Sequence, residues 1–140
     1  MKIERNFTKS GQDAYAEVAF KSATSEIRNP DGTIVFKLDD CEIPKAWSQV
    51  ASDVIAQKYF RKAGVPSETV KVEEKGVPEF LWRSVPAEGA EMSGEISAKQ
   101  VFDRLAGAWT YWGWKGGYFT SEEDAQTYFD EMRYMLATQR

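Results

Sequence analysis

Two helix-start signals constrain this chain more than anything else in it. Ser97-Ala-Lys-Gln100 and Thr120-Ser-Glu-Glu123 both read as capping boxes. In each, a hydroxyl oxygen accepts from a backbone amide at the helix start while the Gln or Glu reaches back. Between them lies "WTYWGWKGGYF", Trp109 to Phe119, with three glycines. A helix therefore begins near 97, is stopped by Gly113, Gly116 and Gly117, and a second begins near 120. Val101, Phe102, Leu105, Ala108, Trp109 and Trp112 fall on one stripe of the first, which spans 97–112. Ala125, Tyr128, Phe129, Met132 and Leu136 form the apolar face of the second, over 121–138. Glu122, Glu123 and Asp124 suit the positive end of its dipole. On this reading Trp109 and Trp112 are core, and the glycines let two helices approach closely.

Upstream, "KAWSQVASDVIAQKYFRKA" predicts a helix over 45–63, started at Pro44 and stopped by Gly64 and Pro66. Its apolar face is Trp47, Val50, Ala51, Val54, Ile55 and Tyr59. Residues 23–43 predict a β-hairpin. Asn29-Pro30-Asp31-Gly32 carries turn chemistry, and Ile34, Phe36 and Leu38 alternate as in a half-buried strand. Residues 1–22 read as an extended or irregular arm. Residues 64–96, broken by Pro66, Pro78 and Pro86, read as loops with one helical turn at 79–82. The expected fold is one mainly α domain over 1–140: arm 1–22, hairpin 23–43 and a helical part 44–140 with three amphipathic helices. Three helices are too few to bury every apolar face, so an exposed patch is expected on the second and third. The last helix runs to "MRYMLATQR" without a Gly or Pro stop, the pattern of a segment that continues.

Composition excludes several chemistries. The chain has no histidine and one cysteine, Cys41. A Ser-His-Asp triad, a His-paired thiol and a His-bearing zinc site are impossible within it. One cysteine allows no internal disulfide. Asp39, Asp40 and Glu42 flank Cys41 and would raise its pKa, the wrong direction for a nucleophile. No EF-hand spacing is present, and the acidic groups, Glu73 and Glu74 included, read as solvated surface rather than metal ligands. The net charge of −4 argues against phosphate-driven nucleic-acid binding. No apolar run reaches the ~18 residues of a membrane span, and no signal-like segment opens the chain, so a cytoplasmic protein is expected. "GWKGG" lacks the phosphate-loop pattern, and Glu122 to Asp124 would repel an anion at the helix that follows. No catalytic residue and no metal site emerge, and no cofactor-binding residue is identified.

The phrases "SEIRNPDGTIVF", "AWSQVASDVIAQKYFRKAGVP", "FLWRSVP", "SAKQVFDRLAGAWTYWGWKGGYF" and "SEEDAQTYFDEMRYMLATQR" together resemble, in order, the N-terminal region of bacterial adenosylcobalamin-dependent (class II) ribonucleotide reductases. The resemblance implies an enzyme that reduces ribonucleotides to deoxyribonucleotides. A thiyl radical in an α/β barrel is started by homolysis of the cobalt–carbon bond. The radical, reducing and relay cysteines belong to the part of the family beyond this segment, and Cys41 matches none of them. The implied role is a helical layer packed on a downstream barrel, inactive alone. Its partner is the remainder of the reductase, in cis or as a split subunit, with the ribonucleotide bound elsewhere. Adenosylcobalamin is implied for the complete enzyme and not for this chain.

Two other readings stand beside it. One is a standalone binding module using 109–119 as a stacking surface. The other is a regulatory or assembly partner that docks through the hairpin and arm. Trp114, Lys115 and Tyr118, which have no core assignment, are the candidate interface residues.

Overall fold

The structure, a computed structural model describing residues 1–140, opens with an arm pinned along the last helix. That helix, Glu122–Thr138, explains the pinning. Its Asp124, Thr127, Asp130 and Glu131 are buried, although no hydrophobic pattern marks them. The arm supplies the donors that such buried acceptors require. The Ile3 amide donates to Asp124 at 2.8 Å. The amides of Asn6, Phe7 and Thr8 all donate to Glu131, the last at 2.9 Å, joined by the Thr8 hydroxyl at 2.7 Å. Arg5 pairs with Asp130 at 2.7 Å, and Phe7 stacks on Tyr134 at 5.2 Å. The arm is thus a structural strap. No residue of the helix from Asp124 to Thr138 is fully exposed.

Strands β1 (Phe20–Arg28) and β2 (Ile34–Pro44) form the expected hairpin, longer at both ends than 23–43. The turn follows its chemistry. The Gly32 amide donates to the Asn29 carbonyl at 2.9 Å, Gly32 sits at φ +88, and the Asp31 carboxylate accepts from the Thr33 amide. The register then slips between Ala23 and Ser25, where Asp39 and Asp40 of β2 form a bulge. Asp40 takes a left-handed φ of 54, which Asp tolerates better than most residues. The extra residue changes which parity faces inward: Phe36 and Leu38 before it, Cys41 and Ile43 after it, the latter two 0% exposed.

The helix expected over 45–63 is shorter. Pro44 ends β2, Ser48 caps α1 (Gln49–Val54), and a π-turn, Ile55–Tyr59, follows. The Phe60 amide donates to the Ile55 carbonyl, five residues back. That wide turn rotates the face. Ser52, Ile55, Ala56 and Phe60 are buried, while Val50, Val54 and Tyr59 of the predicted stripe are exposed.

The mainly α expectation fails. The chain is 35% helix and 24% strand. Residues 64–96, expected to be loops with one helical turn at 79–82, hold that turn, a 3-10 turn at Glu79–Leu81, and also β3 (Val65–Pro66), β4 (Thr69–Val72), β5 (Arg83–Pro86) and β6 (Met92–Ser93). β4 pairs with β5 and β3 with β6, both antiparallel. Pro66 and Pro86 stand at strand ends, where a missing amide costs no inner ladder bond, and Pro78 precedes the 3-10 turn.

α2 (Ala98–Lys115) starts on its capping box, with Ser97 and Gln100 both engaged, but it runs through Gly113. Gly113 is a packing position: a Cβ there would meet the Phe119 ring at 2.7 Å. Ala98, Val101, Phe102, Ala106, Thr110 and Gly113 are buried, with Ala106, Thr110 and Gly113 making a small-residue line. Gly107 faces the Phe129 ring of the last helix, α3. Trp112 is 64% exposed, against the expected stripe. The α3 cap is Ser121, one residue later than expected, accepting from the Asp124 amide. Gln139 closes α3 in the left-handed conformation, a stop that neither Gly nor Pro announces. Among the helices, exposed large apolar side chains lie on α1 and its π-turn and at Trp112, none on α3; others, such as Ile34, Val35 and Val70, lie on the strands, so the patch expected on the second and third helices is not found there.

Tyr15, Cys41, Ile43, Ile55, Phe60, Val101 and Phe102 form the heart of the core. Trp47 closes it, its indole N–H donating to the Ala137 carbonyl at 2.9 Å near the α3 C-terminus.

Burial opposes the charge on Glu131, but the bonds from Asn6, Thr8 and Phe7 outweigh it and hold its carboxyl below the usual range. The Ile3 amide does most to hold Asp124 low, with Ser121 adding to it against a smaller desolvation. Both depressed groups contribute stability that is complete above the ordinary carboxylate pKa, about 4, and is lost as pH falls through their folded values. Urea midpoints are therefore expected to hold from neutral pH to about pH 5 and to fall toward about pH 3. Glu131→Gln, which keeps one acceptor oxygen but loses the charge, is expected to cost about 2 kcal/mol at neutral pH. It is also expected to flatten the acid limb, and an acid limb identical to that of the unaltered chain contradicts this.

Candidate functional site

The aromatic stretch at the end of α2 grips the loop after β4. Tyr111 donates its hydroxyl proton to Glu74 at 2.8 Å, and Lys115 pairs with the same carboxylate at 3.2 Å. The Trp114 indole N–H donates to the Gly76 carbonyl at 2.6 Å, and the Trp82 indole N–H to the Val77 carbonyl at 2.8 Å. Helical spacing explains the set. Tyr111, Trp114 and Lys115 lie three and four positions apart, so they share the side of α2 turned from its small-residue line. The Tyr111 hydroxyl, first, and then Lys115 hold the Glu74 carboxyl below its usual range against a modest desolvation. The same bond to Glu74 raises the Tyr111 phenol.

Of the three candidate interface residues, Trp114 and Lys115 are thus engaged within the chain, whereas Tyr118 is 66% exposed. Tyr111 and Trp114 meet through the loop, not through each other. Within 109–119 only Phe119 has an aromatic partner, Tyr128 of α3 at 5.4 Å. Bases are held by a row of free faces, and this run spends its polar edges on backbone and carboxylate.

Beside the gripped loop, between the β4–β5 hairpin and α2, lies an open groove of about 1090 Å³. Phe80, Trp82, Tyr111, Trp112 and Phe129 supply its aromatic walls, with Glu73, Arg83, Asp103 and Arg104 among its charges. Two of these charges, Arg104 and Asp103, are already partnered. Arg104 bonds to Glu95 at 3.2 Å and to the Tyr59 carbonyl. Asp103 accepts from the Tyr15 hydroxyl at 2.6 Å and from Arg133. Burial, first, and the Asp103 charge push the Tyr15 phenol far above its usual range. Exposed Trp112 at the groove edge was missed by the sequence reading, because its spacing fits an apolar stripe as well as an outer position.

Donor chemistry is sparse. Cys41 is 0% exposed, its Sγ donates to the Ala23 carbonyl at 3.1 Å, and burial pushes its thiol up. Asp39, Asp40 and Glu42 do not converge: no group of three Asp, Glu or Cys side chains gathers with metal-binding geometry. No helix is long and apolar enough to cross a membrane.

Comparison with known proteins adds the family. A profile described as class II vitamin B12-dependent ribonucleotide reductase matches residues 21–139. A vitamin B12-dependent ribonucleotide reductase of Bradyrhizobium diazoefficiens is 64% identical over 147 aligned positions, covering 99% of this chain and 12% of its own length. The Agrobacterium fabrum protein of the same name is 60% identical, covering 100% of this chain and 12% of itself. That of Streptomyces coelicolor is 29% identical, covering 99% and 12%. The chain therefore spans 12% of the length of these relatives.

The grip on the loop has a local consequence. Tyr111→Phe and Trp114→Phe are each expected to speed hydrogen exchange at residues 74–82 while leaving the inner α2 and α3 amides unchanged. Unchanged exchange in the loop, or a loss spread over both helices, contradicts that role.

Proposed function

Because this chain belongs to the class II vitamin B12-dependent ribonucleotide reductases, we propose that it serves such an enzyme as a structural and assembly domain without catalytic residues. The complete enzyme, in this proposal, reduces ribonucleotides to deoxyribonucleotides in the cytoplasm. Its substrate and its reactive thiols lie on the remainder, a catalytic barrel joined in cis or supplied as a split subunit. Adenosylcobalamin, when bound there, supplies the radical that starts the reaction.

One observation carries the reading. The reaction needs accessible thiols, and the sole cysteine here is sealed in the core, its S–H donating to the Ala23 carbonyl. The same donor set bears on the corrin. The chain offers cobalt no imidazole and no accessible thiolate, so its residues do not fit the cofactor as ligands, and no step is assigned to it here.

Purified chain, given adenosylcobalamin, a dithiol and the four ribonucleotides, is expected to yield no deoxyribonucleotide. The Bradyrhizobium diazoefficiens reductase with this chain in place of its matching 12% is expected to turn over. Product from the chain alone overturns the proposal.

A further inference from the structure

A second groove carries an assignment of its own. It lies between α1 with its π-turn and the α2–α3 pair, has a volume of about 430 Å³, and is lined by ten residues, nine of them hydrophobic. Trp47, Val54, Tyr59, Leu105 and Leu136 form its walls, and no charged side chain lines it. Val54 is 48% and Tyr59 55% exposed, with Val50 beside them at 73%. The π-turn opens this groove. Its wide turn carries Phe60 into the core and leaves Tyr59 outside.

We propose that this groove seats the catalytic remainder of the reductase, an assignment that rests on the domain role proposed above and names the surface that performs it. Three features select this occupant. An uncharged apolar lining fits protein side chains and gives a phosphate nothing to bind. The last turn of α3 borders the groove through Leu136 and Gln139. In the relatives, matched here by a profile of their N-terminal region, seven-eighths of the protein lies outside the matched segment. Joined in cis, the remainder is held near the groove at an effective concentration of about millimolar. A second copy of this chain has no such tether.

The test uses cysteine labelling in the Bradyrhizobium diazoefficiens chimera described above. Val54→Cys and Tyr59→Cys are placed in the isolated chain and in the chimera, with Tyr118→Cys as an outside position. Maleimide labelling is then read peptide by peptide by mass spectrometry. Cys41 is buried and gives no background in the isolated chain. Positions 54 and 59 are expected to react at least about tenfold more slowly in the chimera, a difference of about 1.4 kcal/mol in opening. Hydrogen exchange at 50–60 in the chimera without added cysteines is expected to slow likewise.

Equal labelling at 54 and 59, with position 118 protected, overturns the groove assignment and leaves the domain role standing. Equal labelling at all three positions overturns both. Protection at 54 and 59 that grows with the concentration of the isolated chain assigns the groove to a second copy and overturns the proposal.

Discussion

The carboxylate of Glu131 ties the first residues of this fold to its last helix. It accepts three consecutive arm amides and the Thr8 hydroxyl. Asp124 and Asp130, on the same side of α3, take the Ile3 amide and the Arg5 guanidinium. A buried carboxylate without such partners carries a heavy desolvation cost. An arm without them would fray. Each makes the other possible, and α3 becomes the most enclosed element of the chain rather than an outer helix. With α3 fixed, α2 lies against it, Gly107 facing the Phe129 ring and Asp103 pairing with Arg133, and Trp47 ties α1 to the last turn of α3.

Small local features shape the core and the two grooves. The bulge at Asp39 and Asp40 changes the parity of β2, so that Cys41 and Ile43 enter the core. The π-turn after α1 shifts its face and exposes Val54 and Tyr59. The loop gripped by Tyr111, Trp114 and Lys115 sets one side of the wider groove beside α2. The aromatic stretch thus does structural work at the surface. Its tryptophans are divided among a half-buried helix position, an exposed one and a backbone hydrogen bond.

Local chemistry was readable from the residues, and pairing over distance was not. The Ser97 capping box and the Asn29–Gly32 turn each rest on neighbours within a few positions, and each stands where it was expected. Of the apolar face expected on α3 only Ala125 is fully buried, and Asp124, Thr127, Asp130 and Glu131 take inner positions instead. Glu131 had no such signature: its partners lie 123 to 125 residues away and are backbone amides, identical in every sequence. Strands β4 and β5 have four residues each, bracketed by prolines, too short for alternation to outweigh the loop signals. Trp112 fell on the wrong face because two lines of α2 are apolar, and the small-residue line allows the closer approach. The family resemblance was legible from the order of long phrases. The partners of individual residues were not: Trp114 and Lys115, which had no core assignment, bond to the loop after β4.

The central claim is that the arm is built on an ionised, buried Glu131. A carboxyl-carbon NMR titration of Glu131 tests it directly, followed together with the amides of Asn6, Phe7 and Thr8. The account predicts a midpoint below the ordinary glutamate value of about 4.3, with the three amide shifts following the same curve. A midpoint at or above that value, with amides that move independently of it, would contradict the account.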